Sequence, residues 1–286
     1  MARVWQIPPV THSRSTIAAL LDRIERRPRQ SLGQNFVADA NTVRRIVRLA
    51  GVEAGDSVVE IGAGLGSLTL ALAEVTASVL AVEIDGDLMP ILREQVEPLG
   101  VRVVQADAMT LDWNALLDDW DVPRAALVAN LPYNISTPLV CDLLDTVPRL
   151  DRMLVMVQRE VAERLVARPG SGAYGIPSVK VAYWAQAKIV GHVPASVFVP
   201  QPKVESSLVA IVRRGSPAVD ADPAVLFALV RAGFGQRRKM LRRSLAALVT
   251  GEQFERAEVA PDARAEELSV QEWGALAKAV NQGAAR

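Results

Sequence analysis

The sequence predicts an α/β fold, with a doubly wound, mostly parallel sheet followed by a small all-α domain toward the C-terminus. Two patterns carry this prediction. Short apolar runs typical of buried strands alternate with helix-length amphipathic segments, and beyond Pro223 the apolar residues keep helical spacing. In such a fold the ligand binds at the carboxyl ends of the parallel strands. The strand-like runs cover residues 57–61, 79–84, 101–105, 125–129 and 153–157.

Further elements flank this alternation. Apolar residues recur at spacings of three and four between Asp39 and Gly51, which predicts a helix capped by Asp39 or Asn41 and stopped by Gly51. Two additional β-rich runs, near Ile189 and at residues 206–212, predict an antiparallel edge to the sheet.

Composition divides the chain into three regions. Residues 1–30 form an arm with three prolines, a basic run and one short possible helix. Residues 31–214 carry the alternating pattern, and residues 215–286 open with a Gly-Ser-Pro linker and are helical. A chain of 286 residues with 50% hydrophobic content is long enough to bury a core in each of the two larger regions.

Charge and cysteine content exclude several classes of protein. With 32 basic and 32 acidic side chains, the chain lacks bulk positive charge, so any affinity for RNA must come from a local cluster. The single cysteine, Cys141, excludes an internal disulfide and a cysteine-rich metal site, and we interpret it as a packing residue. Residues 1–9 lack the apolar stretch of a secretory signal, and no later segment is long enough to cross a bilayer. We therefore expect a cytoplasmic protein with no metal and no membrane partner.

A glycine-rich loop follows the first strand-like run. Glu60 stands just before Gly62, Gly64 and Gly66, and a helix over residues 67–73 is predicted directly after them. The spacing G-x-G-x-G differs from the G-x-G-x-x-G of dinucleotide-binding proteins, and Glu60 would repel a pyrophosphate. The loop therefore favours S-adenosylmethionine, which has no phosphate and carries an ammonium and a sulfonium, over NAD. A glycine-rich turn without a ligand is the alternative.

Acidic residues stand at the ends of the next two strand-like runs. Glu83 lies about 20 residues beyond the glycines, where a carboxylate can accept hydrogen bonds from both ribose hydroxyls of a cofactor. Asp107 ends the following run and is suited to accept a hydrogen bond from the adenine amino group. Asp85 is interpreted as a possible helix cap. Acidic residues at strand ends are often only caps, but Glu60, Glu83 and Asp107 in series indicate a cofactor site.

The next strand-like run ends in Asn130-Leu131-Pro132-Tyr133, which is suited to act on an exocyclic adenine amine. The lone pair of adenine N6 is delocalised into the ring, so the amine is a poor nucleophile. The Asn130 amide oxygen and the Leu131 carbonyl can each accept one N6 hydrogen and aim the lone pair at the sulfonium methyl. Pro132 restricts Leu131 to an extended conformation, and Tyr133 would stack on the base. The alternative is a loop in which Asn130 caps a helix and Tyr133 belongs to the core.

Over about residues 30–280 the sequence resembles the KsgA family of ribosomal RNA adenine dimethyltransferases, which have a Rossmann-like methyltransferase sheet. The resemblance implies that Asn35 and the backbone near Val37 lie against the cofactor, together with the motif residues above. It also implies that Phe198 holds a flipped-out adenine on the face opposite Tyr133. Besides those motifs, the resemblance rests on Ser31-Leu32-Gly33-Gln34-Asn35-Phe36, on Gln158-Arg159-Glu160-Val161 and on Val197-Phe198-Val199-Pro200-Gln201-Pro202-Lys203-Val204-Glu205-Ser206.

The same resemblance implies a substrate. Family members add two methyls to each of two adjacent adenosines near the 3′ end of small-subunit (16S) ribosomal RNA, so the implied partner is an assembling small subunit. We expect the chain to act as a monomer. Pro177 and Ala182 stand where the family usually has leucine and glutamine. This departure affects the expected geometry of the local loop and not the cofactor chemistry. Residues before about Pro28 lie outside the resemblance.

A basic cluster late in the chain is the candidate RNA-binding site. If residues 236–248 form one helix, Arg238 and Arg242 lie one turn apart, as do Lys239 and Arg243. Such a face binds RNA phosphates with a salt-dependent affinity. A solvated charged face is the alternative, but five cations within seven residues favour RNA in a chain of zero net charge. The cluster comprises Arg237, Arg238, Lys239, Arg242 and Arg243.

Three other functions stay open. Large-subunit ribosomal RNA methyltransferases that confer macrolide resistance share the Asn-x-Pro-Tyr motif. The helical C-terminal region and the motif around Phe198 disfavour this function. A non-catalytic relative of the mitochondrial transcription factor type is disfavoured because Asn130 and Tyr133 are intact. An NAD-dependent oxidoreductase leaves residues 130–133 unexplained.

Overall fold

The structure is a computed structural model that describes residues 12–284. Residues 1–11 of the expected arm lie outside the described residues. They include residues 1–9, in which the sequence shows no secretory signal. The strands are β1 (Phe36–Val37), β2 (Ser57–Ile61), β3 (Ser78–Glu83), β4 (Arg102–Gln105), β5 (Ala125–Asn130), β6 (Leu150–Gln158), β7 (Ala185–Val193), β8 (Phe198–Val199) and β9 (Ser206–Arg213).

The helices alternate with the strands in the first part of the chain and follow one another in the last. They are α1 (Arg14–Arg23), α2 (Ala40–Ala50), α3 (Ser67–Ala73), α4 (Met89–Val96), α5 (Trp113–Asp119), α6 (Ser136–Thr146), α7 (Arg159–Leu165), α8 (Ile176–Trp184), α9 (Pro223–Gly235), α10 (Leu241–Ser244), α11 (Gly251–Arg256) and α12 (Val270–Ala284). No helix within residues 12–284 has both the length and the apolar composition needed to cross a bilayer.

Seven strands form one sheet in the order β4-β3-β2-β5-β6-β9-β7. The pairs β2–β3, β3–β4, β2–β5 and β5–β6 are parallel, which confirms the predicted doubly wound, mostly parallel α/β fold. From β2 the chain builds the sheet first in one direction, through β3 and β4, and then in the other, through β5 and β6. The loops that leave the neighbouring strands β2 and β5 therefore diverge and open a crevice. The two β-rich runs predicted near residues 189 and 206–212 extend the sheet beyond β6.

Helix α2 follows the sequence prediction closely. The Asp39 carboxylate accepts a hydrogen bond from the Thr42 backbone N–H at 2.7 Å, which satisfies a donor in the first turn. Gly51 ends the helix in the left-handed region, with φ +61°. Three side chains on one face, Val43, Ile46 and Val47, are buried in the core of the sheet.

Contacts group the chain into two compact units, and the predicted boundary between residues 214 and 215 stays a prediction. The first unit comprises Met1–Leu143, Val147–Arg159 and Ile189–Ile211, and the second comprises Leu144–Thr146, Glu160–Lys188 and Val212–Arg286.

Aromatic packing organises the core of the second unit. The Trp273 ring is fully buried and lies 6.3 Å from the Phe234 ring, centroid to centroid. Gly233 on α9 permits this approach, because a Cβ there would lie 2.7 Å from the indole of Trp273. Pro177 lies in the first turn of α8, where a missing backbone N–H removes no helical hydrogen bond, so this departure from the family pattern fits a helix start.

The prediction that residues 236–248 form one helix is wrong. Helix α9 ends at the start of this segment, and α10 covers only four residues of it. The Leu241 N–H donates instead to the Ala263 carbonyl at 2.8 Å, so a tertiary hydrogen bond replaces a helical one. Arg238 and Arg242 therefore do not lie one turn apart on a common helix.

The described part of the arm is a packed helix in the first unit. Helix α1 is capped by Ser13, whose hydroxyl accepts the Thr16 N–H at 3.1 Å. Its buried face forms a hydrophobic cluster with residues from the glycine loop and α4. The cluster comprises Ile17, Leu20, Leu21, Phe36, Leu65, Leu88 and Ile91.

We expect Ile17→Ala to lower the free energy of unfolding by about 2–4 kcal/mol, because Ile17 is fully buried and its truncation leaves a cavity. Urea denaturation measures this value. The exposed Asp22→Ala on the same helix is the control and should change it little. An equally small loss for Ile17→Ala would show that the segment is a dispensable arm.

Candidate active site

A cleft opens at the carboxyl ends of the parallel strands in the first unit. Most of the predicted cofactor and catalytic residues line it. Gly66, Leu131, Tyr133 and Phe198 are not among the lining residues. The predicted residues that the cleft brings together are Asn35, Val37, Glu60, Gly62, Gly64, Glu83, Asp107, Asn130 and Pro132.

The three glycines of the loop after β2 all have positive φ, at +76° for Gly62, +58° for Gly64 and +91° for Gly66. A side chain at any of them would therefore be strained. Space is also short, because a Cβ on Gly64 would lie 3.0 Å from the Phe36 ring and one on Gly66 would lie 3.1 Å from Val96. Backbone thus forms this wall of the cleft.

The Glu83 carboxylate fixes the position of the glycine loop. One oxygen accepts the Gly64 N–H at 2.7 Å and the other accepts the Asp85 N–H at 2.8 Å. Burial raises the pKa of Glu83. Each oxygen has a further lone pair, so a carboxylate held in this way can also accept hydrogen bonds from a ligand in the cleft.

Glu60 is a buried carboxyl group at the base of the same cleft. It is 2% exposed, and among the described residues its Oε2 atom has no hydrogen-bond partner. Burial raises the pKa of Glu60 to about 8. A buried carboxyl group with one unpartnered oxygen beside the cleft fits a ligand that brings a positive charge or a donor.

Asn130 ends β5 at the mouth of the cleft. Its Nδ2 group donates to the Asn35 carbonyl at 3.0 Å, which leaves Oδ1 as the amide's acceptor. The Leu131 N–H donates to the Met156 carbonyl at 3.1 Å. A Cβ on Gly33 would lie 3.2 Å from Pro132, so the segment before Asn35 packs directly on this loop.

Two aromatic residues were predicted to hold a target base. Tyr133 is partly buried, its hydroxyl lies 2.8 Å from Ser206 Oγ, and burial raises its pKa, so the hydroxyl stays protonated at neutral pH. Phe198 is fully buried in the core, where β8 pairs with β1 and places it opposite Val37. Contact between Phe198 and a base therefore requires that the ring become exposed.

Comparison with known proteins now identifies the family. Residues 25–282 match the family model described as ribosomal RNA adenine dimethylase. The chain belongs to this family. Membership in a methyltransferase family implies that S-adenosylmethionine is the methyl donor.

Individual members of the dimethylase family are similar along most of the chain. Ribosomal RNA small subunit methyltransferase A of Kineococcus radiotolerans is 48% identical over 263 residues, which is 90% of this chain and 88% of the relative. The protein of the same name from Cutibacterium acnes is 45% identical, and the match covers 95% of both chains.

Solved structures share the fold. A dimethyladenosine transferase from Plasmodium falciparum has a TM-score of 0.74 at 23% identity and covers 86% of this chain and 97% of its own. The 23S rRNA methyltransferase ErmE has a TM-score of 0.65 at 25% identity and covers 87% of this chain and 100% of its own.

Two buried polar residues that bond to residues of the cleft lining, Asp85 and His12, were not predicted as site residues. Asp85 is only 4% exposed and accepts hydrogen bonds from Arg29 at 3.0 Å and Gln34 at 2.7 Å, so it joins the start of the chain to the end of β3. His12 is also buried, with Nε2 2.8 Å from the Leu65 carbonyl in the glycine loop. The position of Asp85 beside Glu83 was a usable signal, whereas His12 lies outside every motif.

We expect Glu60→Gln to stabilise the free protein increasingly as pH rises. The folded state holds the Glu60 proton to about pH 8, whereas an unfolded chain releases it near 4.5, so the wild-type free energy of unfolding falls with pH in that window. Between pH 6 and pH 9 the variant should gain roughly 3 kcal/mol relative to the wild type.

Chemical denaturation at the two pH values measures this gain. Glu255→Gln, at an exposed position, is the matched control. Its free energy of unfolding should differ from that of the wild type by the same amount at both pH values. A Glu60→Gln gain that does not change with pH would contradict the buried, protonated state of Glu60.

Proposed function

We propose that this dimethylase transfers methyl groups from S-adenosylmethionine to N6 of two adjacent adenosines near the 3′ end of small-subunit ribosomal RNA, giving N6,N6-dimethyladenosine during small-subunit assembly. The observation that carries the choice of subunit is the 48% identity, over 90% of the chain, to a protein named ribosomal RNA small subunit methyltransferase A. The 25% identity to a 23S rRNA methyltransferase is the weaker likeness.

The cleft residues fit the cofactor by charge and hydrogen-bonding capacity. When bound, S-adenosylmethionine supplies an electrophilic methyl group on a sulfonium. Glu83 accepts hydrogen bonds from the ribose hydroxyls, using the lone pairs that its backbone partners leave free. Asp107 accepts a hydrogen bond from the adenine amino group. Glu60 holds its proton in the free protein. Next to the cofactor's cationic groups its ionised form is favoured, and the carboxylate then balances their charge. Asn35 and Val37, which also line the cleft, contact the cofactor.

The loop of residues 130–133 orients the target amine. Asn130 is aligned by its bond to the Asn35 carbonyl, so its Oδ1 atom accepts one N6 hydrogen while the Leu131 carbonyl accepts the other. These two bonds turn the nitrogen lone pair out of conjugation. Positive charge develops on N6 during transfer, and two fixed oxygen dipoles stabilise it without a strong base. Tyr133 stacks on the adenine ring and excludes water.

The decisive experiment is transfer of labelled methyl to undermethylated small ribosomal subunits and, separately, to naked large-subunit RNA, with digestion to nucleosides. We expect N6,N6-dimethyladenosine from the small subunit alone. Label only in large-subunit RNA would favour an enzyme of the macrolide-resistance type. No label in either would favour a non-catalytic relative.

In the same assay we expect Asn130→Ala to abolish transfer while S-adenosylmethionine still binds, because the variant loses an acceptor for N6. Glu83→Ala should chiefly weaken cofactor binding, measured by calorimetry. The exposed Asn134→Ala, in the same loop, is the control. Normal turnover by Asn130→Ala would refute the acceptor role.

The RNA contact is proposed for four members of the basic cluster. Arg237 is engaged within the second unit, where it donates to Glu266 at 2.6 Å and to the Gly172 carbonyl at 2.9 Å. The other four are exposed, and no carboxylate of a described residue lies within 4 Å of their charged nitrogens. Free cations bind phosphates without first breaking an ion pair. They are Arg238, Lys239, Arg242 and Arg243.

We expect Arg238→Ala and Arg242→Ala each to reduce the slope of log affinity against log salt for small-subunit RNA by about one, as the loss of one phosphate contact predicts. Filter binding across a salt series measures it. Arg237→Ala should leave the slope unchanged, since its guanidinium is committed to Glu266. Equal slopes for all three variants and the wild type would locate RNA binding elsewhere.

A further inference from the structure

The hydroxyl of Tyr133 is held by a residue that belongs to none of the predicted cofactor or catalytic positions. Ser206 Oγ lies 2.8 Å from Tyr133 Oη, a normal length for a hydrogen bond between hydroxyls. Both residues belong to the first compact unit. Ser206 is the first residue of β9, a strand of the central sheet.

Burial makes this bond hard to replace. Ser206 has no exposed surface, and Tyr133 is partly buried, so water has little access to the serine hydroxyl. Loss of one partner would leave a polar group unpaired in a dry environment. The bond therefore fixes the hydroxyl end of the Tyr133 side chain to a strand of the sheet. The backbone of Tyr133 belongs to the loop that begins at Asn130.

The consequence concerns geometry at the target amine. A ring fixed only at Cα tilts about its side-chain torsions, whereas a ring also fixed at its hydroxyl keeps one plane. Methyl transfer needs the N6 lone pair in line with the sulfonium methyl, and errors of about 1 Å in such an arrangement reduce rates strongly.

We infer that Ser206 is a positioning residue, which sets the plane of the Tyr133 ring and thereby aligns a stacked adenine with the acceptors of the catalytic loop. The inference rests on the proposed function, because the stacked base is the adenine of that reaction. Ser206 itself touches neither the base nor the cofactor.

The chain offers a matched control in the next residue. Ser207 is equally buried on the same strand, and its hydroxyl lies 3.0 Å from His192 Nδ1. Successive side chains of a strand point to opposite faces of the sheet, so Ser206 and Ser207 make the same kind of bond on different sides. Ser207→Ala therefore removes one buried hydroxyl without touching Tyr133.

The first test measures the bond in the free protein. The chain has three tyrosines, so 13Cζ-tyrosine NMR gives three signals, and Tyr133→Phe identifies the one from Tyr133. We expect Ser206→Ala to shift that signal and Ser207→Ala to leave it in place. An unmoved Tyr133 signal in Ser206→Ala would overturn the inference whatever the activity.

The second test measures the effect on transfer. We expect Ser206→Ala to lower kcat about three- to tenfold, as loss of one hydrogen bond predicts, with KM for the cofactor within about twofold of the wild type. Tyr133→Phe should lower kcat by a similar factor, and the double variant no further than either single one. Ser207→Ala should stay within about twofold of the wild type.

Independent, multiplying effects of Ser206→Ala and Tyr133→Phe would show that the serine acts on the fold and not through the ring. If Ser206→Ala does not fold, the comparison of kcat between the wild type and Tyr133→Phe tests the inference by itself. Equal kcat values would then overturn it. A wild type that methylates no RNA, with the NMR shift present, would refute the proposed function and leave the bond established.

Discussion

The hydrogen bond from the Gly64 N–H to the buried Glu83 carboxylate is the interaction on which the candidate active site depends. It joins the loop after β2 to the end of β3 at 2.7 Å, in a loop where three alternate residues are left-handed glycines. Because the carboxylate is buried, it is stable only while backbone donors satisfy it, and one of its two donors, the Gly64 N–H, belongs to the loop that it positions. The cleft wall and the carboxylate therefore form together, and neither has its geometry without the other.

From that point a chain of hydrogen bonds reaches the loop of residues 130–133. Asp85, two residues after Glu83, accepts a hydrogen bond from Gln34, and the carbonyl of the following residue, Asn35, accepts one from Asn130. The residues proposed to bind the cofactor and those proposed to orient the amine are thus parts of one connected frame. Such a frame is preorganised, so that the dipoles that stabilise the reacting nitrogen need no rearrangement during transfer.

The sequence could predict elements whose local signals agree with their tertiary setting. Helix α2 has an apolar face, a side-chain cap at Asp39 and a glycine stop at Gly51, and all three appear in the structure. The segment 236–248 also has helical leucine spacing, but the Leu241 N–H bonds to Ala263, a partner that only the folded chain reveals. His12 was beyond prediction for the same reason, because nothing local indicates that it reaches Leu65. Fold and cleft follow from local patterns, whereas long-range hydrogen bonds do not.

The proposed geometry also limits how many methyl groups the site can add. Unmodified adenine N6 carries two hydrogens, one for the Asn130 amide and one for the Leu131 carbonyl. Each transfer leaves a cationic N6, which loses one proton to water. After the first transfer and proton loss a single hydrogen remains, so one acceptor still orients the amine while the other makes room for a methyl group. After two transfers N6 has no hydrogen to donate, and both acceptors would be left without a partner, which costs free energy for each unpaired group. Two methyl groups are therefore the natural end point, because the product no longer satisfies the acceptors that held the substrate.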